Sequence, residues 1–256
     1  MPVTVMINNN GKLVDNTTTY FDGPTNGWWN KILVEDFNHD GHPDLIIGNE
    51  GLNTQCKVSA AEPAEMYYKD FDDNGAVDPI FCFYIQDKSY PYISRDELLE
   101  QISIMRSRFP DYKSYADASL GDIFTTQEFQ GAGHLKATNL STSYYLSDSK
   151  GKLHISELPL EVQSSPVFTI TTLDYDHDGN KDILLCGNIN KARLRLGKSD
   201  ANYGILLKGD AKGHFAYVPQ LKSGFHLWGD VRSVLEINKT LLFGINQQGV
   251  KAYKEN

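Results

Sequence analysis

Three nine-residue segments of this 256-residue chain carry oxygen-bearing side chains at positions 1, 3, 5 and 9. They supply Asp36, Asn38, Asp40 and Asp44; Asp70, Asp72, Asn74 and Asp78; and Asp174, Asp176, Asp178 and Asp182. Each has an aromatic at position 2 and a glycine at position 6. Alternate residues of a tight loop can all turn inward, and a hard cation such as calcium takes about 6–8 oxygen ligands. The glycine permits a backbone reversal that a Cβ would resist. Cation binding is therefore the chemistry these spacings predict, with up to three Ca²⁺, one per loop. Ten aspartates sit at the ligand positions, a grouping that is repulsive without a counter-ion. Three divalent ions would bring six positive charges and move the formal net charge from −9 to −3. The acidity thus belongs to metal sites rather than to a surface field aimed at a basic partner.

The elements that must hold these loops are short and apolar. Ile32–Val34 and Leu45–Ile47 flank the first loop, and Phe168–Ile170 and Ile183–Leu185 flank the third. Such runs, bounded by Gly, Asn and Asp, predict buried strands. An EF-hand would need helices and an acidic ligand at position 12, where Ile47, Phe81 and Leu185 stand instead. Asn-Gly and Asp-Gly also build ordinary hairpin turns, but three copies with every ligand position filled outweigh that alternative.

The pattern resembles the FG-GAP or VCBS repeat family, calcium-loop β-propeller repeats of integrin α-subunits and of many bacterial surface and secreted proteins. The Gly48-Asn49 and Gly187-Asn188 strand ends and the segment Gly209–Phe215 share in the resemblance. It implies side-chain ligands at positions 1, 3, 5 and 9 and a backbone carbonyl at position 7, from His42, Ala76 and Asn180. One departure is Pro79 after the second loop, which lacks a strand N–H and predicts an irregular or edge position.

An all-β propeller-type domain over residues 1–256 follows as the expected fold. About four blades can be traced, from near Asn30, Met66 (with Phe81–Ile85), Val167 and Gly229, and the last has no acidic loop. A hairpin over Val3–Val14 reads as the outer half of a further blade. A start in mid-blade fits either a ring closed by pairing the N- and C-terminal strands in one blade or part of a larger, seven-bladed type. Four blades is the low end for propellers, which favours the latter, with sheet edges that missing blades or a second copy would cover. The first two loops lie 34 residues apart and the second and third 104. Much of that excess reads as a helical insertion near residues 94–120. Ser94–Glu97 forms a capping box, Leu98, Ile102, Met105 and Phe109 follow at helical spacing up to Pro110, and a second helix is expected over Tyr112–Leu120.

No catalytic constellation emerges: His134, His226, Arg95 and Arg232 lie too far apart in sequence to be grouped. Trp28, Trp29, Tyr90, Tyr92, Tyr144 and Tyr145 offer either a platform for sugar rings or ordinary packing. The three cysteines give no disulfide framework, and Cys82 and Cys186 read as buried thiols. A pI near 5.2, with a single basic run at Lys191–Arg195, argues against nucleic acid. No run of eighteen apolar residues would span a membrane. Asn16, Asn139 and Asn238 begin glycosylation sequons. The expected function is a non-catalytic, calcium-binding recognition module for a protein or polysaccharide ligand. It would act extracellularly, at the cell surface or in the periplasm, beside other domains of a longer chain, with its signal peptide outside the sequence. The alternative is a polysaccharide lyase or hydrolase on the same scaffold.

Overall fold

In a computed structural model, residues 1–192 and 197–254 are described, and most of the regular structure is short antiparallel strand. The N-terminal hairpin of β1 (Met6–Asn9) and β2 (Lys12–Asp15) is a sheet of its own. The first acidic loop then joins β3 (Lys31–Glu35) to β4 (Asp44–Gly48). The chain next departs through Gln55–Asn139, a separate compact unit. That unit carries β5 (Ala64–Lys69), β6 (Asp78–Ile85), β7 (Lys88–Pro91) and β8 (Gly133–Ala137). After it come β9 (Ser143–Ser147) and β10 (Leu153–Ser156), which complete a four-stranded sheet in the order β3-β4-β9-β10. A second sheet runs in sequence through β11 (Val167–Leu173), β12 (Asp182–Gly187), β13 (Ile205–Gly209) and β14 (Phe215–Val218). The last has three strands, β15 (Val231–Ile237), β16 (Thr240–Ile245) and β17 (Gly249–Lys254).

This corrects the expected blade order. The first loop's sheet is not completed before the second loop, because its outer strands lie beyond the excursion, as Leu45↔Tyr145 pairing shows. The second loop belongs to the excursion, whose sheet order β7-β6-β5-β8 brings the last strand back beside the first rather than continuing as a meander. The terminal sheets β1-β2 and β15-β17 share no ladder, so the described strands do not close a ring.

Within the larger unit, period-two alternation explains how the sheets stack. Ile183, Leu185, Ile205 and Leu207 pack with Phe37, Ile46 and Tyr144 from the first sheet. The intervening residues Leu184, Cys186 and Leu206 pack with Val231, Leu241, Phe243 and Ile245 from the last. Every residue of β12 is consequently buried, as expected of a strand covered on both faces. The first strands β3, β11 and β15 lie side by side, β11 against both neighbours. Gly48 and Gly187 make the close approaches possible: an added Cβ would lie 2.6 Å from the Val167 carbonyl oxygen and 1.7 Å from that of Pro166.

Packing also accounts for three of the aromatic residues of this unit. Tyr144 is fully buried and meets Phe37 and Phe215 edge-on. Tyr145 packs on Phe21, and the Trp29 indole N–H donates to the Thr25 carbonyl at 2.7 Å. Tyr144 is a core residue, and Tyr145 and Trp29 are half-buried against the cluster of Val3, Phe21, Ile47 and Leu153.

In the excursion, Ser94 caps the helix Arg95–Gln101 with the expected box. The helix does not run on to Phe109. Ile102 leaves helical geometry (φ −130°, ψ 87°), and a 3₁₀ turn follows at Ser103–Arg106. Leu98, Ile102, Met105 and Phe109 are all buried on Ile80 and Cys82 even so. Single helical turns at Tyr112–Tyr115, Leu120–Ile123 and Thr126–Phe129 carry the segment past residue 120. Tyr92 packs against Phe81 and Phe83, and Lys88 lies over Tyr90. Pro79 sits in β6 opposite Tyr68, but β7 covers β6 only from Cys82 onward. Its missing N–H therefore falls at a local edge.

Glu50, just after β4, is largely buried, and burial alone pushes its carboxyl up to about 7. With the unfolded value near 4.3, the folded state binds the extra proton between about pH 4.3 and 7, so stability falls as pH rises across that window. Glu50→Gln is expected to stabilise the protein by on the order of 1–3 kcal/mol at about pH 8, and by little at about pH 4.5. Urea unfolding at both pH values, with calcium held constant, measures this. An equal difference at the two would refute it.

Candidate metal centres

The three loops share one backbone. Position 4 is left-handed in each (His39 φ 59°, Asp73 φ 57°, His177 φ 59°), as is the glycine at position 6 (φ 86°, 87° and 84°). Asp, Asn and His tolerate that region better than most residues, which explains the residue types at position 4. Both histidines are exposed.

The internal hydrogen bonds repeat as well. The glycine N–H donates to Oδ2 of position 1 in every loop: Gly41 to Asp36 at 3.0 Å, Gly75 to Asp70 at 2.8 Å and Gly179 to Asp174 at 3.1 Å. Position 7 donates to the side chain of position 5, with His42 on Asp40 and Ala76 on Asn74 at 2.8 Å and Asn180 on Asp178 at 2.9 Å. Position 9 closes the loop by accepting the N–H of position 2: Asp44 from Phe37, Asp78 from Phe71 and Asp182 from Tyr175, at 3.0, 2.9 and 2.7 Å. All three closing aspartates are buried.

Two closing aspartates have a further partner that the sequence reading missed. Ser147 at the end of β9 donates its N–H and hydroxyl to Asp44 Oδ1 at 2.8 and 2.9 Å. Gly209 at the end of β13 donates its N–H to Asp182 Oδ1 at 2.9 Å. The third strand of each sheet therefore fastens the loop between the first two. A signal was present: Ser147-Asp-Ser-Lys-Gly and Gly209-Asp-Ala-Lys-Gly are the same turn. Its Asp accepts two amides in both copies, Lys150 and Lys152 on Asp148, Lys212 and His214 on Asp210.

The acidic groups divide by loop. In the second, carboxylate oxygens of Asp70, Asp72 and Asp78 lie within 4.8 Å of one another, and in the third so do those of Asp174, Asp176 and Asp182. Each of these sets can hold a metal ion. Two of their oxygens, Asp72 Oδ1 and Asp174 Oδ1, are buried without any hydrogen-bond partner. A buried acceptor left bare is costly, and a cation at the centre of the loop would satisfy it, so the residues fit the ion. Burial raises the carboxyls of Asp78 and Asp182, and the neighbouring loop aspartates raise them further. The first loop differs: the Asn38 amide donates to Asp40 Oδ2 at 3.0 Å, and its carboxylates do not converge as closely.

The chain matches no family model, no curated protein and no solved structure.

The residues weighed for catalysis have local partners within each compact unit. In the excursion, His134 Nε2 meets Glu65 Oε1 at 2.9 Å, while Arg95 donates to the carbonyls of Phe109 and Pro110. In the larger unit, His226 stacks on Tyr203, and Arg232 lies over Phe168, 3.9 Å from the ring centroid. All three cysteines are buried, and none forms a disulfide among the described residues. Residues 193–195 of the basic run lie outside the described residues. Among the described residues no helix is long and apolar enough to cross a membrane.

Proposed function

We propose that this chain is a calcium-binding, non-catalytic recognition module built from propeller-type blades, engaging a protein or polysaccharide outside the cell or in the periplasm. The observation that carries the metal assignment is the bare, buried Asp72 Oδ1 and Asp174 Oδ1 inside loops that share one backbone. Asp70, Asp72, Asn74 and Asp78 with the Ala76 carbonyl would hold one ion, and Asp174, Asp176, Asp178 and Asp182 with the Asn180 carbonyl another. Asp36, Asn38, Asp40 and Asp44 with the His42 carbonyl form the third, less acidic set. Oxygen-only donors of this kind suit calcium rather than a softer metal. Bound there, the ion would neutralise the loop carboxylates. The chain's own residues supply the rest: the closing aspartate ties position 2 to the following strand, and the left-handed position 4 turns the loop back.

The propeller reading is supported by the stacking of three sheets with their first strands adjacent and by the nine-residue repeat. The recognition role and the location rest on the family resemblance. The test is a panel of neutral and acidic polysaccharides, read for binding and for new reducing or unsaturated ends, with calcium content measured by elemental analysis. Calcium with saturable binding and unchanged glycan supports the module. Release of unsaturated or reducing ends would replace it with a lyase or hydrolase.

A further inference from the structure

The third loop already contains a cation. Lys208 of β13 projects its ammonium onto Asp176 Oδ2 and onto Asp178 Oδ2, the latter at 2.8 Å. These are positions 3 and 5, the side chains that a bound ion would need. Asp174 Oδ1, at position 1 of the same loop, remains bare. The loop is thus partly neutralised by a tethered charge while one ligand oxygen goes unanswered.

The placement is fixed by the sheet. Lys208 immediately precedes Gly209, whose N–H holds Asp182, so the lysine stem leaves the strand beside the loop's closing residue. In the first sheet the corresponding pair is Leu146 and Ser147, and Leu146 packs into the core. Among the ion pairs of the described residues, no lysine or arginine reaches a ligand position of the first or second loop. The third loop is also the one with aspartate at all four ligand positions, where each of the others has three there.

We propose that Lys208 is a built-in competitor for the third loop's cation: calcium must displace it to fill this loop, and meets no such rival in the other two. The inference rests on the calcium reading above. It makes the third loop a threshold site. The additional carboxylate strengthens attraction for a divalent ion, and the lysine sets the concentration and ionic strength at which that attraction prevails. Displacement costs two exposed ion pairs, each worth little, and the flexible stem lets the ammonium swing to solvent without moving β13.

The test is calorimetric titration of the EGTA-stripped protein with calcium, comparing wild type, Lys208→Met and Lys208→Gln, with melting curves in EGTA and in calcium. One site is expected to tighten roughly three- to thirtyfold in both variants while the others stay put. Adding Asp174→Asn to Lys208→Met should abolish the tightened site, which locates it in the third loop. The melting midpoint should fall in EGTA, where the lysine's pairing is lost, and rise in calcium. Calcium isotherms unchanged by both substitutions would overturn the proposal and leave the metal assignment standing, as would midpoints that fall equally in EGTA and calcium. Absence of calcium binding in wild type and variants alike would overturn the metal assignment and this proposal with it. The glutamine variant, with circular dichroism as the folding check, serves if the methionine variant does not fold.

Discussion

Adding calcium to the EGTA-stripped protein is expected to raise its melting midpoint by roughly 10–20 °C. A ligand that binds only the folded state adds about 2.7 kcal/mol per site at a hundredfold excess over Kd. For a chain of this length each kcal/mol moves the midpoint about 2–4 °C. The estimate counts only the two loops whose carboxylates converge. Those loops fall in different compact units, the second in Gln55–Asn139 and the third outside it. Asp72→Ala and Asp174→Ala should each remove about half of that shift, one site's share. Differential scanning calorimetry resolves the two contributions. An unchanged midpoint, with no calcium found by elemental analysis, would end the metal assignment.

Gly187→Ala is expected to destabilise the protein by about 4 kcal/mol or more, or to prevent folding, which few single substitutions do. The added methyl would lie 1.7 Å from the Pro166 carbonyl oxygen, and backbone cannot swing aside as a side-chain tip can. β12 is buried along its whole length and paired on both sides, so the clash has no outlet. Gly23→Ala is the control, since nothing lies within 4 Å of its new Cβ. Urea unfolding of the two variants should differ by several kcal/mol. A Gly187→Ala protein within about 1 kcal/mol of wild type would show that β11 and β12 are not held as closely as described here.

Much of this was legible from local pattern. The nine-residue turns, the strand flanks, the Ser94 capping box and the buried thiols are short-range features, set by residues a few positions apart. What escaped was long-range. Nothing near Leu45 announces that its other neighbour is Tyr145, because strand pairing across an excursion leaves no mark on periodicity. The repeated turn at Asp148 and Asp210 was the available clue, and only the second copy was matched to the family. The helix expected to reach Phe109 broke at Ile102 because burial of the same four side chains can be met by a helix followed by a 3₁₀ turn. Lys208 was invisible for a related reason: its relevance depends on Gly209 lying beside Asp182, a contact spanning 27 residues.

The bond between Asp44 and Ser147 spans 103 residues. During synthesis, β3 and β4 emerge long before β9 exists, and the whole of Gln55–Asn139 is made in the interval. A compact unit of its own can form while the first sheet still waits, with the Asp44 carboxylate short of its last donors. Contacts of such sequence separation form late and slowly. The Gly51 N–H meets the Leu140 carbonyl at 2.8 Å, so the two ends of the excursion must come back together before the sheet can lock. The order of assembly is thereby set by a detour in the chain: the nested piece first, its host afterwards.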